Sequence, residues 1–213
     1  MVIAPAPRTI SRRVRFAPLL ASVALLAATP AQANQQRDPE LGAILRTAID
    51  STRCDEHADR FGEEVFFKLQ EPRLRPIISS AQLRVDILKQ VYCESNAVVR
   101  RYRLEHKFNL HLTPELVLAV IDVESRFDRY AVSSAGAVGL MQVMPFWPRQ
   151  LGMQNRLFGN VEFNVKLGCE ILAYYMHGER NDYRRALARY NGSVGRNQYP
   201  DLVLARLANR WRA

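Results

Sequence analysis

Ile121–Pro145, IDVESRFDRYAVSSAGAVGLMQVMP, ends an apolar helical run on a single acid, Glu124, and follows it with a polar loop and the turn Gly139-Leu140-Met141-Gln142. Val120, Ile121 and Phe127 lie three or four positions from Glu124, so they share or adjoin its helix face. Apolar neighbours disfavour the charged carboxylate and raise its pKa. The negative end of the helix dipole acts in the same direction. The expected product is a proton donor usable near neutral pH. One such acid beside a loop of small residues suits acid-catalysed cleavage of a sugar bond.

Outward from this segment the chain reads as all-α. Apolar residues recur at three-to-four spacing and strand-like alternation is scarce. Thr113-Pro114-Glu115 is a strong helix start, with a hydroxyl cap, a proline in the first turn and an acid at the positive end of the dipole. Leu116, Val117, Val120 and Ile121 continue it, and it ends near Ser125–Phe127. Upstream, Leu41, Ile44, Leu45, Ala48 and Ile49 form one stripe after Asp38-Pro39. Phe61–Leu69 forms a short helix that ends near Pro72, and Leu83 to Val98 lie on a long helix running to about Glu105. Around His111 the pattern breaks into a joint. Downstream, helices are expected over Asn164–Met176, from Asn181-Asp182 to Tyr190 with a stop at Asn191-Gly192, and over Gln198–Trp211.

The loop Ser133-Ser134-Ala135-Gly136-Ala137-Val138-Gly139 combines small residues with two glycines, which lets backbone approach a ligand closely. Met141 offers an adaptable apolar wall, and Gln142 both donates and accepts hydrogen bonds. Tyr190-Asn191-Gly192 ends a later helix with a phenol expected to point back toward the acid.

Glu124-Ser125, then Ser133 with Gly136-Ala137-x-Gly139-Leu140-Met141-Gln142-x-Met144-Pro145, then Tyr190-Asn191-Gly192, resembles the soluble lytic transglycosylase family. Asn164 and Gly168 resemble that family's Asn-Ile/Val-x-x-Gly helix start. The resemblance covers about residues 110–195. It implies a lysozyme-like α fold, akin to goose-type lysozyme, acting on peptidoglycan. Glu124 would be the sole catalytic acid/base. Ser133, Met141, Gln142, Tyr190 and Asn191 would bind the sugar or orient the acid. Arg129 stands where the family usually has proline, and Arg189 and Ser193 replace small residues beside Tyr-Asn. Residues 34–108 resemble no nameable domain.

The same residues bear on the reaction. Ordinary glycosidases use two carboxylates. Asp122 lies two positions from Glu124 and points elsewhere on the helix, and Asp128 reads as a turn residue. One acid suffices where the substrate supplies its own nucleophile. Glu124 would protonate the oxygen linking N-acetylmuramic acid to N-acetylglucosamine, then accept the proton of the C6 hydroxyl as the 1,6-anhydro ring closes. No metal or organic cofactor is required. The alternatives are a hydrolytic muramidase, or a non-catalytic peptidoglycan-binding protein associated with secretion.

Bulk properties set the context. Residues 1–33 carry Arg8, Arg12, Arg13 and Arg15, an apolar run Ala17–Ala28 and the small-x-small site Ala31-Gln32-Ala33. That is the pattern of a secretory signal peptide, with an apolar run too short to span a bilayer comfortably. The chain has 30 basic and 21 acidic residues. Without the four signal arginines the balance is 26 against 21, or +5. A basic exported protein suits an anionic polymer such as peptidoglycan. Export to the periplasm or cell envelope removes nucleic acid as a partner, and no aromatic-basic platform appears. A wall-remodelling or secretion machine is a further candidate partner, and a monomer is expected. The expected organisation is a signal over 1–33, an N-terminal helical segment over 34–108 and a catalytic domain over 109–213. Of the three cysteines, Cys54 and Cys93 are candidates to pair in an oxidising compartment, whereas Cys169 lies in an apolar helical run and reads as a buried thiol.

Overall fold

A computed structural model describes residues 38–50, 59–153 and 159–212. The signal expected over 1–33 lies outside them. Among the described residues eight α-helices run in order: α1 Pro39–Asp50, α2 Arg60–Leu74, α3 Ala81–Glu105, α4 Pro114–Glu124, α5 Phe146–Gln150, α6 Val161–Gly178, α7 Tyr183–Asn191 and α8 Gln198–Arg206, which continues as a π-helical turn Leu207–Trp211. Among the described residues, extended pairing is confined to isolated bridges between Val132 and Val138 and between Val138 and Val143. The all-α reading therefore holds.

The centre of the molecule is α4. Seven consecutive residues, Leu116 to Asp122, are buried. A helix apolar on all sides is one surrounded by others, and α3, α8 and the terminal π turn pack around this one. Its start is as the sequence dictates: Pro114 occupies the first turn and the Thr113 hydroxyl accepts from the Leu116 amide at 3.2 Å. Its far end carries Glu124 out of the core. The second core helix, α6, is buried along most of its length and lies against α1, α3 and α7. One hydrophobic cluster runs from Leu41 of α1 to Trp211 at the C-terminal end, so α1–α3 share the core of the helices that follow.

Three local readings differ from the structure. First, α2 does not stop near Pro72 but continues to Leu74 with the proline inside it. Leu74 is fully buried and Gln70 nearly so, and tertiary burial of that last turn overrides the local breaker. Second, α6 begins three residues before Asn164, at Val161, where the Asn160 side chain caps the Phe163 amide at 2.9 Å. This leaves Asn164 free for another task. Third, the final helix loosens into the π turn after Arg206, which places Trp211 in the core.

Cys93 is disulfide-bonded and Cys169 is a free, buried thiol. Cys54, the expected partner of Cys93, lies outside the described residues. Among the described residues no helix is long and apolar enough to cross a membrane.

Candidate active site

Glu124 is the last residue of α4 and is partly buried. Burial pushes its carboxyl up to about 7, and a hydrogen bond from Tyr199 opposes that rise. The donor is the Tyr199 hydroxyl, 2.5 Å from Glu124 Oε1. Tyr199 sits in the first turn of α8 and is itself buried. Burial, then the charge of Glu124, pushes its phenol well above the ordinary range, so it remains a donor at any ordinary pH.

The backbone after Glu124 turns sharply. Ser125 caps the helix through its amide to the Ile121 carbonyl, and Arg126 and Phe127 follow with φ of 51° and 66°. Two successive non-glycine residues in the left-handed region cost on the order of 1–3 kcal/mol each and persist only where the surroundings hold them. Phe127 is held by burial, with its ring 5.4 Å from that of Trp211.

The loop from Ala131 to Val143 folds back on itself. Ser133 closes it: its amide donates to the Ala137 carbonyl at 2.9 Å and its hydroxyl accepts from the Ala137 amide at 3.0 Å. The Val138 and Val143 amides each donate to the other's carbonyl at 3.0 Å. Gln142, at φ 48°, turns its side-chain amide inward, and Nε2 donates to the carbonyls of Gly139 at 2.9 Å and Ala131 at 3.2 Å. Both side chains therefore shape the loop.

Met141 is fully buried beneath it. Its amide donates to Asn164 Oδ1 at 2.8 Å, and its carbonyl accepts from the Tyr190 hydroxyl at 2.6 Å. Asn164 Nδ2 donates to the Val138 carbonyl at 2.8 Å. This is the work Asn164 does in the second turn of α6: one buried amide holds two points of the loop. It also explains two glycines. A Cβ at Gly139, where φ is 82°, would stand 2.4 Å from Asn164 Nδ2, and a Cβ at Gly168 would stand 2.3 Å from Met141 Sδ.

Tyr190 was expected to aim at the acid. Its ring lies near enough for the charge of Glu124 to add to burial in raising its pKa, but its hydroxyl is committed to Met141. The phenol bonded to the acid belongs to Tyr199. Sequence reading missed it because Tyr199 carries no local signal: it is one aromatic in a helix start, 75 positions from its partner. Asn191 is the partly buried last residue of α7, before Gly192 in the left-handed cap.

The acids adjacent in sequence are occupied elsewhere. Asp122 is buried, accepts from Trp211 Nε1 at 3.1 Å and lies 3.5 Å from Arg210. Asp128 is exposed, and its carboxylate accepts from the Tyr130 amide at 2.8 Å within its own turn. The departures from the family pattern also face other work. Arg129 stacks over the Tyr130 ring at 4.7 Å, and Arg189 pairs with Glu179 beyond the end of α6.

The site thus brings together a partly buried acid at the end of the central helix α4, a phenol bonded to it, and a following loop pinned through Asn164. Residues 102–200 match the family model of the transglycosylase SLT domain, so that stretch is similar to SLT lytic transglycosylases. The chain is similar to the membrane-bound lytic murein transglycosylase C of Actinobacillus pleuropneumoniae serotype 5b (strain L20) and to that of serotype 3 (strain JL03). Each is 46% identical over 48 residues, which is 22% of this chain and 11% of the relative. The matched stretch is thus about a tenth of the length of these curated relatives.

Proposed function

We propose that the protein is a peptidoglycan lytic transglycosylase in which Glu124 is the single acid/base. The observation that carries this reading is the state of Glu124. Its carboxyl is raised to about 7 by burial alone, and no neighbouring charge is among the causes of the shift. It can therefore hold a proton near neutral pH and give it up to a substrate.

The chemistry balances with one carboxyl. Glu124 gives its proton to the glycosidic oxygen as the bond from C1 of N-acetylmuramic acid to that oxygen breaks. The cationic sugar is then captured by its own C6 oxygen, which forms the C1–O6 bond and returns its proton to Glu124. The C6 hydroxyl is already part of the ring substituent, so it attacks at high effective concentration and needs no carboxylate to position a water. Asp122 and Asp128, bound to Trp211 and within the Tyr130 turn, support a one-acid mechanism.

The relatives' name, membrane-bound lytic murein transglycosylase C, favours the same substrate and a site of action in the cell envelope. The test is mass spectrometry of muropeptides released from purified peptidoglycan. The expected products end in 1,6-anhydro-N-acetylmuramic acid, lighter by one water than reducing ends, and Glu124→Gln releases none. Reducing ends would instead identify a hydrolytic muramidase. Undiminished release by Glu124→Gln would remove Glu124 from the mechanism.

A further inference from the structure

Trp211 lies beyond the stretch matched to the family, yet it touches both sides of Glu124. Its indole Nε1 donates to Asp122 Oδ2 at 3.1 Å, two residues before the acid. Its ring packs on Phe127, three residues after the acid, where the backbone holds a left-handed conformation. Arg210 joins the same group, with its guanidinium 5.3 Å from the indole and 3.5 Å from the same Asp122 oxygen. All three of Trp211, Asp122 and Phe127 are buried.

Trp211 is in turn held by the N-terminal helices. Its backbone carbonyl accepts two hydrogen bonds, each 3.0 Å, from Gln70 Nε2 and from the Arg73 guanidinium, both on α2. Arg73 also donates to Gln70 Oε1 at 3.2 Å, which fixes the pair relative to each other. Gln70 is almost wholly buried. A buried glutamine whose donor is aimed at one carbonyl 141 positions away is an expensive way to fill space. Arg73 lies just past Pro72, in the last turn of α2, and Gln70 lies three residues before it on the same helix.

We propose that Trp211 is a positioning residue for Glu124, and that Gln70 and Arg73 make the placement of the acid depend on helix α2. The inference rests on the reading of Glu124 as the acid. It gives the N-terminal helices a part in the reaction: they fix the terminal turn, which fixes the end of α4 and the strained turn after it. The same terminal element delivers Tyr199, twelve positions before Trp211, so one helix sets both the acid's backbone and its hydrogen bond.

Trp211→Phe keeps an aromatic ring against Phe127 and removes the N–H to Asp122. Gln70→Met keeps the volume and removes one donor to the Trp211 carbonyl. Activity on peptidoglycan is measured against pH for both, per folded molecule by circular dichroism, beside Glu124→Gln. The titratable groups facing Glu124 are Tyr199 of α8 and Tyr190 of α7, and neither is changed. For Trp211→Phe we expect kcat to fall about tenfold or more with KM nearly unchanged. Its alkaline limb should move to lower pH as water reaches the loosened carboxyl. Gln70→Met should change both in the same direction, by less. A role confined to stability lowers the melting temperature and leaves kcat and the limb where they were, and that result overturns the proposal. Should Trp211→Phe not fold, Gln70→Met decides by the same criterion. Residual activity in Glu124→Gln would instead overturn the reading of the acid itself.

Discussion

The hydroxyl of Tyr199 donates to Glu124 Oε1 at 2.5 Å, joining the start of α8 to the end of α4. This bond works against burial. A hydrogen bond given to a carboxylate favours its charged form, whereas desolvation favours the neutral acid. Burial prevails and leaves Glu124 at about 7. The balance matters because the proposed reaction uses the same group twice, first protonated and then charged. A carboxyl poised near the working pH serves both steps.

Tyr199→Phe removes the opposing influence and keeps the ring. The pKa of Glu124 should rise further, so the alkaline limb of the pH–activity profile should move to higher pH. The rate at the optimum should fall about tenfold, because the carboxyl loses the contact that orients it. The direction is opposite to that expected for Trp211→Phe, which makes the two variants mutual controls. A limb that stays in place would show that the phenol does not bond to the reacting carboxyl in solution.

Most of the architecture is legible in the residues. The Thr113-Pro114-Glu115 start, the Asn191-Gly192 stop and the apolar periodicity announce α3, α4 and α7, because caps and stripes are local signals. The acid is legible for the same reason: Glu124 closes an apolar run, Leu116–Val123, that only Asp122 interrupts. The short helix α5 and the extension of α2 past Pro72 are not, since both depend on what packs against them. Within the site, Ser133 and Gln142 read as residues that bind the sugar or orient the acid, and the hydrogen bonds they make here are within the loop itself. What the sequence hides is long-range pairing. Tyr199 with Glu124, Asn164 with Met141 and Trp211 with Asp122 each join residues at least 23 positions apart, and no spacing rule relates them.

Gly168 illustrates one such hidden constraint. Alanine is the better helix former by about 1 kcal/mol, and Gly168 lies within α6. Propensity alone therefore predicts that Gly168→Ala stabilises. The new Cβ, however, would stand 2.3 Å from Met141 Sδ and 2.6 Å from Met141 Cβ. Rotating the thioether relieves the first contact but not the second. Met141 would have to retreat from its bonds to Asn164 and Tyr190. The expected result is a loss of about 1–3 kcal/mol in denaturant unfolding, the usual cost of overpacking, together with reduced activity. A variant more stable than the parent would mean that the loop gives way freely.

Glu94 makes a prediction about stability that is independent of the active site. It is buried on α3 and pushed up to about 7, first by burial and then by the charges of Glu170 and Glu162, against the opposing effect of Lys166 and Arg101. Glu170, buried on α6 and paired with Arg101, is raised as well. A folded-state pKa above the ordinary 4.5 means that the native protein binds the proton more tightly than the unfolded chain does. That contribution to stability is fully present below about pH 4.5 and is lost as pH rises through 7. For Glu94 it amounts to on the order of 3 kcal/mol across that interval. Glu124 acts with the same sign. Glu94→Gln abolishes one of these titrations without changing the shape of the side chain. Measured by urea unfolding, its stability relative to the parent should increase between pH 5 and pH 8 by up to that amount. A relative stability that is the same at both pH values would show that Glu94 is not being forced to ionise inside the helix pair.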